Sequence, residues 1–179
     1  MFKDNPDFYP TPANLINRMF SYVNFKGVKS VLEPSAGAGN LVEAIHNKFN
    51  NSQYHNKRKS YDIDTIEQDN SLVMILKGKG YRVIAEDFLN FSTYKKYDLI
   101  FMNPPYSAGD KHLLRAIDLV ELQKHSCQIV CLLNGETLKN PYSNTRKVLL
   151  QQLEKYNAKV EFIENAFRNT ERKTELETA

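Results

Sequence analysis

Apolar and polar positions along this chain alternate between two patterns. Short continuous apolar runs read as buried strands, and longer stretches with apolar residues three and four apart read as amphipathic helices. The strand-like runs are 28–33, a run ending near Thr65-Ile66-Glu67, then 81–85, 97–102, 127–133 and 160–163. Helical faces fall between them: Leu15, Ile16, Met19, Phe20 and Val23; Leu41, Val42, Ala44, Ile45 and Phe49; Leu72, Val73, Ile75 and Leu76; Leu113, Ala116, Ile117 and Val120; Val148, Leu149, Gln152, Leu153 and Tyr156. Strands alternating with helices predict a doubly wound α/β sheet, here as one domain over 1–179. The 127–133 run is apolar on both faces apart from Gln128, which predicts a central strand.

End signals sharpen the pattern. Thr11 suits an N-cap and Pro12 the first helical position after it. Asn70 or Ser71 can cap the third helix, with Gly78 and Gly80 closing it. Asn140-Pro141-Tyr142 follows no strand directly and reads as a loop.

Composition narrows the class. At 41% hydrophobic and 25% charged over 179 residues, the chain can bury a core. No apolar run approaches the roughly 20 residues of a membrane span, and residues 1–6 lack the apolar centre of a signal peptide. Cys127 and Cys131 sit inside an apolar run without a partner cluster, so they read as buried thiols in a reducing, cytoplasmic setting. A net charge of +3 permits a polyanionic partner without requiring one. The polar, basic stretch 50–59 reads as a surface loop, with a phosphate contact as the alternative.

The candidate chemistry collects at strand ends. Asn103-Pro104-Pro105-Tyr106 follows the fourth strand, where open α/β sheets place ligands. Two prolines stop the strand and stiffen the backbone. An amide, a fixed carbonyl and an aromatic ring together suit a planar group bearing an NH2; the plain alternative is a Pro-Pro turn. Glu33-Pro34-Ser35-Ala36-Gly37-Ala38-Gly39-Asn40 follows the first strand and leads into a helix, the opening of a nucleotide-binding unit. The third glycine of the dinucleotide pattern is missing, and Glu33 would repel a pyrophosphate. Both features disfavour NAD and favour a cationic ligand. Glu67, at the end of the second strand, is the preferred partner for ribose hydroxyls, with Asp62 and Asp64 as rivals. Asp87 can accept the amino hydrogens of an adenine while Phe88 packs nearby, or it can simply cap a turn. Lys111 and His112 are placed to touch substrate or to remain solvated.

In their order, these residues resemble an Asn-Pro-Pro-Tyr-type amino-methyltransferase of the class I S-adenosylmethionine-dependent enzymes, most like the gamma-class adenine-N6 DNA methyltransferases. Tyr9-Pro10-Thr11-Pro12 is similar to their N-terminal cofactor motif and Leu32 to Leu41 to their main cofactor loop. The resemblance implies a Rossmann-like, doubly wound, mostly parallel sheet. It implies S-adenosylmethionine held by Thr11, Glu33, Ser35, Ala36, Gly37, Gly39, Glu67, Asp87, Phe88 and Asn103. It makes Asn103, Pro104, Pro105 and Tyr106 the catalytic group, with no metal. The implied partner is nucleic acid, DNA before RNA, with a protein glutamine as a further acceptor. Two departures accompany it. No residues remain for a target-recognition domain, and only Thr174 to Ala179 could begin the family's last antiparallel strand. The expected chain is therefore short, with its last strand missing or truncated, and a non-catalytic module working with a separate specificity subunit is the alternative.

Overall fold

The computed structural model describes residues 10–50 and 61–164. Tyr9, most of the basic stretch 50–59, the tail from Arg168 and the candidate last strand lie outside the described residues. The elements in chain order are α1 (Ala13–Ser21), β1 (Ser30–Glu33), α2 (Asn40–Asn50), β2 (Asp62–Ile66), α3 (Asn70–Gly78), β3 (Arg82–Ala85), β4 (Leu99–Met102), α4 (Gly109–Gln123), β5 (Gln128–Cys131), α5 (Glu136–Lys139) and α6 (Asn144–Lys155). The five strands form one sheet in the order β3-β2-β1-β4-β5, and every pairing is parallel. The chain order reverses between β1 and β4, so the connections leaving their carboxyl ends run to opposite faces of the sheet and open a crevice there.

Burial on both faces explains why the strand runs are continuously apolar. Val31, Ile63, Leu99 and Phe101 turn toward α1 and α2, packing with Leu15, Met19, Val42, Ile45 and Phe49. Leu32, Ile66, Ile100 and Met102 turn to the opposite face, against Ala116 and Leu119 of α4 and against Phe88 and Tyr97. Each half of the alternation thus serves one face. A third cluster joins α4 to α6 through Leu113, Ile117 and Leu149, beside Leu133.

Several expectations change. No strand forms over 160–163 among the described residues; only Ile163 makes an isolated bridge. The described sheet therefore has five strands. β5 is not central but lies at its edge, with all four residues only partly buried. Continuous apolarity here reflects helices on both faces, which does not say whether a strand stands on the far side. Thr11 does not cap α1. Pro12 occupies the cap position without a side-chain bond, and the Thr11 hydroxyl is used elsewhere. Asp69, rather than Asn70 or Ser71, caps α3 by accepting from the Ser71 and Leu72 N–H groups at 2.8 and 3.2 Å.

The close of α3 also shapes the crevice. Tyr81 N–H donates to the Leu76 carbonyl and Gly80 N–H to the Lys77 carbonyl, both at 3.0 Å, with Gly80 at φ +80°. This pair of bonds around a left-handed glycine is the Schellman stop. It sets the Tyr81 ring against Gly39, where an added Cβ would stand 2.9 Å from the ring. The ring stacks on His46 with centroids 5.3 Å apart. Gly39, itself at φ +89°, is needed for that close approach.

Gly39→Ala should therefore destabilise the fold. Left-handed strain alone costs about 1–2 kcal/mol, and displacement of Tyr81 adds to it. A urea midpoint lowered at constant slope is the expected result; an unchanged midpoint would mean that the loop tolerates the methyl.

Candidate functional site

A cavity of ≈ 480 Å³ opens at the carboxyl edge of the sheet, within the usual size for a small-molecule or cofactor site. Thr11, Ser35, Ala36, Gly37, Glu67, Asp87, Phe88, Asn103, Pro104, Pro105 and Tyr106 all line it. The topology brings together residues far apart in the chain, from Pro10 to His112. Of the expected site residues, two do not line it. Glu33 is fully buried beneath the loop, and Gly39 faces Tyr81.

The loop after β1 is held by hydrogen bonds from its neighbours. Gly37, at φ +54°, donates its N–H to Glu67 Oε2 at 2.7 Å, and Asp69 N–H donates to Glu67 Oε1 at 2.8 Å. Ala36 N–H donates to the Ile66 carbonyl at 3.0 Å, and Lys79 Nζ to the Ala38 carbonyl at 2.8 Å. Glu67 thus fastens the loop to the start of α3 while facing the cavity. Its rivals serve another purpose. Asp62 and Asp64 pair with Arg82 and Lys95, and the Tyr97 hydroxyl donates to Asp64 at 2.8 Å. They line a separate shallow pocket.

Asp87 both caps a turn and lines the cavity. It faces the cavity, and its Oδ1 accepts from Leu89 N–H at 2.8 Å in a turn. The Asn90 amide, donating to Oδ2 at 2.5 Å, holds the carboxyl below its ordinary range. Phe88 is buried at the cavity wall, 6.0 Å from the His112 ring by centroids. His112 lines the cavity, whereas Lys111 does not. The Ala108 carbonyl can only accept, so the His112 Nδ1 contact at 2.9 Å places a proton on Nδ1. Burial keeps the ring's pKa below the ordinary histidine value, which leaves Nε2 an acceptor at neutral pH.

Asn103 directly follows β4. Its Nδ2 donates to the Thr11 hydroxyl at 3.0 Å, so the amide nitrogen is directed at Thr11 and the carbonyl oxygen points away from it. The tetrapeptide continues into a 3-10 turn at Tyr106–Ala108 and then α4. At Gly109 an added Cβ would lie 2.6 Å from Leu133 Cδ1, so this turn packs directly on the end of β5. Lining residues that the sequence reading did not single out include Asp69, Glu86, Leu89, Ser107 and Ala108. Ser107 and Ala108 adjoin the tetrapeptide and Glu86 adjoins Asp87, so extending each motif by one or two positions would have reached them.

Glu33 carries the site's main electrostatic peculiarity. Its Oε1 accepts from Ser35 N–H at 2.9 Å, while among the described residues Oε2 has no hydrogen-bond partner; neither has the buried Ser35 Oγ. Burial raises the Glu33 pKa well above 4.5; the Ser35 bond opposes this and the nearby Glu67 charge reinforces it. Among the described residues, no group of three or more His, Cys, Asp or Glu is placed to hold a metal ion, and no helix is long and apolar enough to cross a membrane.

No protein-family model matches the chain. Over 106 residues it is 28% identical to the type II methyltransferase M.CvrRI of Paramecium bursaria Chlorella virus XZ-6E, a match covering 57% of this chain and 26% of that protein. The chain thus spans about a quarter of that relative's length. Among solved structures, a modification subunit of a putative type I restriction enzyme from Vibrio vulnificus YJ016 superposes with TM-score 0.65 at 16% identity, over 98% of this chain and 44% of that one. The 23S rRNA methyltransferase ErmE superposes with TM-score 0.59 at 16% identity, over 96% of this chain and 67% of that one. The architecture is the Rossmann-like fold of class I methyltransferases.

The Glu33 carboxyl gives a signed prediction. A raised folded-state pKa means that the native chain keeps this proton after the unfolded chain has lost it, so stability from this group falls as pH rises above 4.5. Glu33→Gln removes that dependence. Its denaturation midpoint should gain on the wild type as pH increases above 4.5; a constant difference would mean that burial does not control this carboxyl.

Proposed function

We propose that the chain transfers a methyl group from S-adenosylmethionine to an exocyclic amine, with N6 of adenine in DNA as the first acceptor. The observation that carries this reading is one shared cavity. Asn103, Pro104 and Tyr106 line it together with the loop after β1, Glu67 and the Asp87-Phe88 pair. The 28% identity to a type II methyltransferase and the fold support it.

The residues fit this cofactor. Glu33 Oε2 and Ser35 Oγ are buried polar atoms without partners among the described residues, and the charged side chains that line the cavity among those residues are the carboxylates Glu67, Asp69, Glu86 and Asp87. That lining suits a cation and disfavours a pyrophosphate. Gly37 admits a close backbone approach, Glu67 is positioned for ribose hydroxyls, and Asp87 with Phe88 for an adenine. Glu33, buried below, holds its proton more firmly than a free carboxyl does, and a cationic end above it favours release of that proton.

When bound, S-adenosylmethionine supplies a methyl group on a sulfonium that already leaves readily. The chain's residues therefore orient and stabilise. Thr11 directs the Asn103 amide nitrogen toward itself, and the Asn103 oxygen with the Pro104 carbonyl accepts the two hydrogens of the target amine. As the nitrogen rehybridises, those acceptors draw positive charge from it. Tyr106 stacks on the base, which must leave a duplex or arrive single-stranded. RNA bases and a protein glutamine present the same planar NH2 and are the alternative acceptors. A module working with a separate specificity subunit is the second reading, favoured by likeness to a type I modification subunit. The cytoplasm is the setting proposed for either, the second module being non-catalytic.

Incubation with methyl-labelled cofactor and adenine-containing DNA, RNA or peptide acceptors tests the reading. Label should appear in N6-methyladenine of DNA, and Asn103→Ala should abolish it while leaving cofactor affinity within about tenfold. Transfer that survives Asn103→Ala would remove that residue from its role.

A further inference from the structure

The carboxyl edge continues past the cavity into a second surface. β5 is in register with β4, Met102 opposite Cys131, so the chain leaving β5 emerges beside Asn103. It forms α5, the exposed loop Asn140-Pro141-Tyr142 and the start of α6. Two exposed aromatic rings stand here, each with a cation on one face. Arg146 lies 4.4 Å from the Tyr142 centroid, and Lys139 Nζ lies 4.9 Å from that of Phe162. Tyr142 is 78% exposed and Phe162 44%.

These rings contribute nothing to the core clusters described above. Arg146 also donates to the Glu136 and Asn140 carbonyls at 3.2 and 3.1 Å, so the guanidinium is fixed to the loop before any ligand arrives. Tyr142, held by this fixed cation on one face and with most of its surface in solvent, offers its other face for stacking at little further loss of freedom; Phe162 is partly exposed beside Lys139. Lys147, exposed, follows the half-buried Arg146 on α6. Aromatic faces interleaved with positive charge match an unpaired nucleic-acid strand, whose bases stack and whose phosphates pair.

We infer that Tyr142 and Phe162, with Lys139 and Arg146, form a platform for single-stranded nucleic acid flanking the target nucleotide. The inference rests on the reading of the site as one that acts on a nucleic-acid base. The platform would hold the neighbours of a base delivered to Asn103. It would position the strand by stacking and charge, without reading base edges.

The test uses the full chain and fluorescein-labelled single-stranded DNA and RNA oligonucleotides, followed by anisotropy. Binding to either strand should weaken about 5-fold or more in Tyr142→Ala and further in Tyr142→Ala/Phe162→Ala, as expected when a base loses an aromatic partner. Lys139→Ala should reduce the slope of log affinity against log salt by about one. The DNA and RNA arms show which strand the platform prefers. Melting curves confirm the variants' fold, and titration with S-adenosylhomocysteine checks the cofactor site separately. Oligonucleotide binding unchanged by the double variant, or no binding by the wild type, overturns the platform even if the cofactor binds. Failure of the cofactor to bind overturns the methyltransferase reading instead.

Discussion

The Glu67 carboxylate is the joint on which the carboxyl edge of this sheet depends. One oxygen accepts from the loop after β1, through Gly37, and the other from the start of α3, through Asp69. Glu67 N–H in turn donates to Ala85 at the end of β3, at 3.3 Å. A single residue therefore ties the ends of three strands, and charge makes its two accepted bonds stronger than neutral ones. The glycine loop needs such a clasp. Its left-handed residues have few conformational restraints of their own, and its position sets where α2 begins. Asp69, held from below by Glu67, turns its own side chain to cap α3. Loop, strand end and helix start are one hydrogen-bonded unit.

The other half of the edge is fixed differently. β4 ends in a rigid Pro-Pro step, and Asn103 is oriented across the crevice by Thr11, 92 residues earlier. The two halves meet over Glu33, an acid without exposure at the end of β1. Burying a carboxyl with one oxygen unpartnered is costly. A buried acid of this kind suits the cationic ligand proposed for the cavity above it.

How much of this was legible in the sequence follows from how local each signal is. The strand–helix alternation and the tetrapeptide's place after β4 are short-range patterns, and they read correctly. Glu67 was separable from Asp62 and Asp64 because α3 begins just beyond it; in the fold Glu67 lines the cavity, and the other two line a separate pocket. Thr11 and Gly39 read as a cap and a ligand-facing glycine, which are their commonest local roles. Their actual partners, Asn103 and Tyr81, lie 92 and 42 positions away, and no local pattern encodes them. The edge position of β5 was likewise hidden. Burial by helices on both faces gives the same apolar run whether or not a further strand follows. Over 160–163 the apolar residues suggested a strand, but Glu161 instead pairs with Arg18 and Tyr22 of the α1 region.

Calorimetric titration of the full chain with S-adenosylhomocysteine, comparing wild type with Glu67→Gln, tests the account most directly. The account predicts saturable binding by the wild type, weakened about tenfold or more in the variant by loss of charge-assisted hydrogen bonds. No binding by a folded wild-type chain, or equal binding by the two, would contradict it.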